Sequence, residues 1–173
     1  SAYAAAKNGA KVILAEDKPR FGGSLLTDDV TIDNLSGKAW TDKIITQLKE
    51  MPNVLVKNRS QVFGYYDHNM TVMIERTGDH LKNKAKYVPR QRLWYIRAKE
   101  VILSTGSIER PIVFGNNDAP GIFLSAAAKE YIKVYGVLVG KKPLVFTNND
   151  SGYETALEFK KHGIDPIILD TRK

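Results

Sequence analysis

The side chain best suited to chemistry in this sequence is the carboxylate of Glu16. It follows an apolar run at residues 12–14, which has the composition of a buried strand, and an alanine-rich helical stretch that ends at Gly9 precedes this run. An acid at the carboxyl end of such a strand can accept hydrogen bonds from both ribose hydroxyls of an adenine dinucleotide. The alternative is an ordinary surface glutamate followed by Asp17. Glu16 is therefore a candidate binding residue.

Two glycine-containing loops could bring backbone amides close to such a ligand, because glycine lets the main chain approach without steric hindrance. The candidates in the first loop are Lys18, Gly23 and Ser24. The second loop contains Thr105 and Gly106 and follows apolar residues 101–103, which we interpret as a buried strand. Any loop can carry glycine, so a plain turn is an equally good interpretation of the second loop.

The elements around Glu16 recur near the end of the chain. Residues 143–170 predict a strand, a tight turn, a helix, Gly163, a second strand and finally Asp170. Asp170 follows Gly163 at the same interval as Glu16 follows Gly9, so the two copies share one register. The chain therefore contains two related strand and helix units.

The second copy has a turn that is poorly suited to phosphate. A dinucleotide-binding turn needs glycine at the positions of Thr147, Asn149 and Gly152, and only Gly152 has it. Asp150 adds negative charge near the helix N-terminus, where it would repel a phosphate. We interpret this copy as structural. The counterpart of Gly152 in the first copy would precede Ser1, so we expect a first strand and its glycine loop upstream, in a longer chain.

The rest of the pattern predicts the elements that position these residues. Helical spacing predicts helices over residues 38–51 and 125–135. Four β-rich runs favour an antiparallel meander with a turn at residues 67–69; they are residues 54–56, 61–66, 71–76 and 93–97. The predicted fold class is α/β: a truncated Rossmann-like dinucleotide-binding unit with an antiparallel β-meander, followed by the start of a second Rossmann-like unit. The predicted domains are residues 1–140 and 141–173.

Composition excludes several kinds of site. The sequence has no cysteine, so disulfides, thiolate metal sites and a redox-active cysteine pair are absent. The net charge is +7, but the basic residues are scattered, which favours a solvated surface over nucleic-acid binding. No apolar stretch reaches the roughly 20 residues of a membrane helix. The three histidines lack metal-ligand spacing. We predict a cytoplasmic protein with no metal site and no nucleic-acid or membrane partner.

Five segments together resemble the α subunit of heterotetrameric sarcosine oxidase. They are residues 21–26, 62–69, 90–94, 105–111 and 146–151. The most specific are the Tyr-Tyr-Asp-His-Asn run at 65–69 and the Thr-Asn-Asn-Asp run at 147–150. The Thr-Gly-x-x-Glu-Arg-Pro run at 105–111 is also similar to amine and proline dehydrogenase subunits.

This resemblance implies a four-subunit flavoenzyme, in which the α subunit joins β, γ and δ subunits. The complex would demethylate sarcosine to glycine and yield hydrogen peroxide and a one-carbon unit, as formaldehyde or methylene-tetrahydrofolate. The resemblance implies NAD in a disulfide-reductase-like region of this chain, with FAD, FMN and tetrahydrofolate elsewhere in the complex. The implied binding residues are Glu16, Asp17, Gly23, Ser24 and Val62, the last through its backbone. No catalytic residue is expected in the chain, and the isolated chain is expected to be inactive.

Two alternatives remain open. In the first, the parent protein is a FAD-dependent NAD(P)H oxidoreductase with flavin in the first fold and no redox cysteines. In the second, the chain is a non-catalytic scaffold, in which the nucleotide folds are relics and a basic face docks a partner.

Overall fold

The computed structural model describes residues 1–83 and 85–172. These residues form two compact units: the first contains residues 1–25 and 29–104, and the second contains residues 26–28 and the chain from Thr105 onward. The predicted domain boundary between residues 140 and 141 falls inside the second unit. The assignment of one nucleotide-binding unit to each predicted domain stays a prediction.

The described part of the first unit contains two helices and seven strands. In chain order they are α1 (Ala2–Lys7), β1 (Val12–Ala15), β2 (Thr31–Ile32), β3 (Leu35–Ser36), α2 (Gly37–Glu50), β4 (Val54–Lys57), β5 (Ser60–Tyr66), β6 (Met70–Glu75) and β7 (Arg92–Arg97). Short 3₁₀ helices cover Gly23–Leu26 and Asp67–Asn69. The helix predicted over residues 38–51 is confirmed as α2, and Pro52 lies directly beyond its C-cap residue, Met51.

A parallel strand pair carries the first candidate site. β1 pairs in parallel with β4, in a register that joins Val12 to Val54 and Ala15 to Lys57. Gly9 has a φ of 83°, a left-handed conformation that favours glycine, where the chain leaves α1 for β1. The side-chain amide of Asn53 donates hydrogen bonds to the carbonyl oxygens of Ala6 and Ala10, at 2.9 and 2.7 Å. These hydrogen bonds fix the segments that lead into β1 and β4.

The predicted meander is confirmed for three of its four strands. β5, β6 and β7 form an antiparallel sheet in that order, with a bulge between Val62 and Gly64. Met73 of the central strand is fully buried. The prediction for residues 54–56 was wrong, because they form β4 and pair in parallel with β1. The segment between β6 and β7 contains Lys84, which lies outside the described residues.

A short hairpin was not predicted. β2 and β3 pair antiparallel across Asp33 and Asn34, whose φ angles are 50° and 61°. Two consecutive residues with positive φ are typical of the type I′ turn that matches the twist of a hairpin. The hairpin leads directly into α2, where the Ser36 hydroxyl accepts a hydrogen bond from the amide of Ala39 at 3.3 Å.

The second unit repeats the strand, helix and strand order. Its described elements are α3 (Ser125–Tyr135), β8 (Leu144–Thr147), α4 (Ser151–Lys161) and β9 (Ile167–Asp170), with β8 and β9 parallel. Both predicted helices and both predicted strands are therefore confirmed here. The core is formed by Ala128, Ile132 and Phe159, which lie on the facing sides of α3 and α4.

The prediction of a buried strand at residues 101–103 was wrong. These residues have no strand pairing, and the side chains of Ile102 and Leu103 are each 66% exposed. An apolar run becomes a strand only when a neighbouring backbone supplies hydrogen bonds, and no described strand does so here. In the described residues, no helix is long and apolar enough to cross a membrane.

Candidate functional site

The structure places Glu16 directly after β1, at the carboxyl end of the parallel pair. Its amide donates a hydrogen bond to the carbonyl oxygen of Lys57 at 2.9 Å, and its carbonyl oxygen accepts one from the amide of Ser60 at 2.7 Å. The first bond continues the ladder to β4, and the second joins Glu16 to the first residue of β5. The backbone of Glu16 is therefore held on both sides, and its side chain is half-buried.

The carboxylate of Glu16 is oriented by the loop that follows it. Its Oε1 accepts a hydrogen bond from the amide of Lys18 at 3.0 Å. Burial raises the pKa of Glu16 above the ordinary glutamate value, the Lys18 amide partly opposes this rise, and the neighbouring Asp17 adds to it. The Lys18 amide occupies one of the roughly four acceptor positions of an ionised carboxylate.

The loop after Glu16 is tied to the connection between β4 and β5. The amide of Arg59 donates to the carbonyl oxygen of Lys18 at 3.0 Å, and the Asn58 side-chain amide donates to that of Pro19 at 2.7 Å. The Arg76 guanidinium donates to the carbonyl oxygen of Asp17. The side chains of Asp17 and Lys18 are exposed on this loop. The backbone of this loop is therefore fixed by hydrogen bonds from Arg59, Asn58 and Arg76.

A polar cluster around Glu75, which the sequence did not indicate, lies next to the strand that pairs with Glu16. The Glu75 carboxylate accepts hydrogen bonds from Lys57 Nζ at 2.9 Å and from Trp94 Nε1 at 2.8 Å, and Arg92 Nη1 lies 3.3 Å away. Burial acts to raise the pKa of Glu75, but the hydrogen bonds from Lys57 and Trp94 outweigh it, and the pKa is lowered. The carbonyl oxygen of Lys57 accepts a hydrogen bond from the amide of Glu16, so this cluster helps to hold the backbone of Glu16 in place.

The other predicted site residues are distributed more widely. Val62 lies on β5, two positions after Ser60, and is 41% exposed. Gly23 and Ser24 begin the 3₁₀ helix and are exposed, with a φ of 52° at Gly23. The structure thus groups Glu16, Asp17 and Lys18 with the start of β5.

The last two predicted residues belong to the second unit. Thr105 and Gly106 lie in an exposed, irregular segment, where Gly106 has a φ of 69°. Asp170 ends β9 of the same unit, as the repeat predicts. Within residues 1–83 and 85–172, no group of three His, Asp or Glu side chains is placed to hold a metal ion.

No family model matches the chain. It is 41% identical over 173 residues to the sarcosine oxidase α subunit of Rhizobium meliloti (strain 1021), and 37% identical over 174 residues to that of Corynebacterium sp. (strain P-1), each match covering 99% of the chain. Over its whole length, the chain is similar to a segment of the sarcosine oxidase α subunit. The resemblance stated from the sequence is confirmed. The chain spans 18% of the length of these sarcosine oxidase relatives.

A solved structure shares the fold. The L-proline dehydrogenase from P. horikoshii superimposes with a TM-score of 0.75 at 24% sequence identity, over 98% of this chain and 32% of that one. This likeness and the observed elements confirm the α/β fold class.

Proposed function

We propose that the chain is a dinucleotide-binding region of a sarcosine oxidase α subunit, in which Glu16 binds the adenosine ribose of NAD. The observation that carries the proposal is the position of Glu16, half-buried at the carboxyl end of a parallel strand with its backbone held on both sides. The similarity to sarcosine oxidase α subunits over 99% of the chain supports the same assignment.

Under this proposal, each predicted residue has a role in holding the dinucleotide. Glu16 would accept from the ribose hydroxyls, the backbone of Val62 would meet the adenine, and Gly23 and Ser24 would supply amides. Thr105 and Gly106 are candidates for the pyrophosphate. The sequence contains no Gly-x-Gly-x-x-Gly turn, so the described residues offer the pyrophosphate no cradle of that type.

The reaction belongs to the whole protein and not to this chain alone. As an oxidoreductase of the sarcosine oxidase type, it would demethylate sarcosine to glycine, with oxygen as acceptor and a one-carbon unit released or passed to tetrahydrofolate. FAD and FMN would supply the redox chemistry within a complex of α, β, γ and δ subunits in the cytoplasm. This chain would bind and orient NAD and contribute no catalytic residue. Oxidation of sarcosine by the isolated chain would contradict the proposal.

Calorimetric titration of NAD into the whole protein tests the role of Glu16. Glu16→Gln keeps the size of the side chain and removes its charge, and hydrogen bonds to charged groups contribute about 1.5–3 kcal/mol. We expect affinity to fall roughly 10- to 100-fold. Glu100→Gln, the same change at an exposed position of the same unit, should leave affinity unchanged. Equal affinities for Glu16→Gln and the native protein would overturn the assignment.

The same titration, with NAD or FAD added to the full-length α chain expressed alone, separates the alternatives, because the FAD of the proposed complex lies outside this region. NAD and FAD share the adenosine ribose that Glu16 would bind, so the carboxylate alone does not distinguish them. Binding of FAD with no binding of NAD would support a FAD-dependent NAD(P)H oxidoreductase. Binding of neither would support the non-catalytic scaffold.

A further inference from the structure

The acid that ends the second unit is already bound by its own chain. Asp170 accepts hydrogen bonds from Arg172 through Nη2 at 2.8 Å and through the backbone amide at 2.9 Å. The Tyr153 hydroxyl donates to Asp170 Oδ2 at 3.0 Å. Both carboxylate oxygens are therefore engaged, and the side chain of Asp170 is only 18% exposed. In a dinucleotide-binding unit these oxygens would accept the ribose hydroxyls.

The turn between β8 and α4 is likewise satisfied internally. The Thr147 hydroxyl accepts from the amide of Asn149 at 3.2 Å, and Asn149 Oδ1 accepts from the amide of Ser151 at 2.9 Å. A Cβ on Gly152 would lie 2.6 Å from the Cβ of Thr147, so the threonine fills the space directly against the glycine. Two amides of the turn, those of Asn149 and Ser151, are therefore already bonded to side chains of the same turn.

One guanidinium joins the two acids of this region. Arg172 Nη1 lies 2.8 Å from Asp150 Oδ1, while its Nη2 binds Asp170, and its guanidinium carbon lies 5.9 Å from the centre of the Tyr153 ring. Asp150 makes no capping hydrogen bond to α4, and its carboxylate accepts a hydrogen bond from Arg172 instead. Two carboxylates and an aromatic ring are the groups that a planar cation prefers, and they repel phosphate.

We propose that the carboxyl edge of β8 and β9 is a guanidinium site, filled by the chain's own Arg172, which takes the place that a nucleotide ribose has in the related units. The edge is formed by Thr147, Asn149, Asp150, Tyr153, Asp170 and Arg172, and we call it the β8–β9 edge. It binds a cation through Asp150 and Asp170, and its amides at Asn149 and Ser151 already donate to side chains of the same turn. The proposal is independent of Glu16, because every contact that carries it lies in the second unit.

Hydrogen exchange on the whole protein tests the cation site. Arg172→Ala should speed exchange of the amides at 150–153 and 170–172 by about tenfold, because the bridge between the strand end and the helix start is lost. Methylguanidinium at millimolar concentration should restore most of the protection, because it supplies the missing planar donor. Ammonium, a cation without that fork, should not. Arg110→Ala, an exposed arginine of the same unit, should show neither effect.

A second measurement does not depend on any variant. Adenosine diphosphoribose added to the native protein should leave exchange at residues 147–153 unchanged, whatever it does at residues 16–24. Protection of residues 147–153 by this ligand would overturn the proposal. So would restoration of the Arg172→Ala variant by adenosine diphosphoribose and not by methylguanidinium. Loss of NAD binding in Glu16→Gln would leave both results unaffected, so the two proposals fail separately.

Discussion

Glu16 and Asp170 occupy the same place in two copies of one local fold, but their surroundings differ. Each stands at the carboxyl end of a parallel strand, and each accepts a hydrogen bond from the amide two residues later, at 3.0 Å from Lys18 and 2.9 Å from Arg172. The pKa of Glu16 is raised by burial, whereas hydrogen bonds from Arg172 hold the pKa of Asp170 far below its usual range. The position at a strand end is therefore shared, but the hydrogen-bond partners of the two carboxylates are not.

The difference lies in the residue at the second position after each acid. In the first copy this residue is Lys18, and in the second it is Arg172, whose planar fork closes back on the acid. A strand-end acid whose two oxygens are both bonded to a nearby arginine, as at Asp170, has fewer acceptor positions left for a ribose. Single substitutions in either copy can therefore test this difference.

The largest expected effect concerns the close packing of the Thr147 side chain against Gly152 in the second copy. Gly152→Ala would place a Cβ 2.6 Å from the Thr147 Cβ, and overpacking of this kind typically costs about 1–3 kcal/mol. We expect the free energy of unfolding, measured by urea denaturation, to fall by about 2 kcal/mol. In a Thr147→Gly background the same change should cost less than half as much, because the clashing atom is gone.

Gly140→Ala is the matched control for this substitution. No atom lies within 4 Å of a Cβ at Gly140, and its φ is not positive, so the change should be close to neutral. If Gly152→Ala were equally neutral, the second copy would have room in its turn, and the contrast between the copies would rest on Arg172 alone.

A smaller effect is expected when Lys18 of the first copy is replaced by arginine, the residue that the second copy has at the equivalent position. Lys18→Arg keeps the positive charge but adds the planar fork that Arg172 uses on Asp170. If the fork closes on Glu16 in the same way, NAD affinity measured by calorimetry should fall about tenfold, or about 1.4 kcal/mol. Lys49→Arg, an exposed position on α2, is the control and should not change affinity. Unchanged affinity in Lys18→Arg would show that residues beyond this position close the second copy.

Local patterns predicted most of the elements but not all of their partners. α2 and α3 follow from apolar residues at helical spacing, and β5, β6 and β7 follow from runs of β-branched and aromatic residues. The pairing of β4 was predicted wrongly because a short apolar strand looks the same in a parallel and an antiparallel sheet. The hairpin of β2 and β3 had a signal in Asp33 and Asn34, two residues that tolerate positive φ.

The candidate site was predictable in part for the same reason. Glu16 was identified from its place after a strand, because that place is a property of local sequence. The support from Lys57, Glu75 and Trp94 was not, because these residues come from three strands that meet only in the folded chain. The closure by Arg172 was missed too, since it depends on the chain turning back after β9.

The smallest expected effect is a pH dependence that distinguishes the two acids. Ribose hydroxyls are bound by the ionised carboxylate, so NAD affinity should fall as the pH drops through the raised pKa of Glu16, which lies above 4.5, the ordinary value for glutamate. In the free protein the sign is opposite: a raised pKa means that the folded state binds the proton more readily, so ionisation of Glu16 lowers stability as the pH rises through that window. Bound NAD should therefore oppose that loss of stability.

Titrations at several pH values should show a few-fold change in affinity for the native protein and none for Glu16→Gln. The ion pair of Asp170 with Arg172 should persist across the same pH range, because the pKa of Asp170 is lowered and its carboxylate stays ionised. An equal pH dependence in Glu16→Gln would place the titrating group elsewhere and remove the electrostatic basis of the contrast.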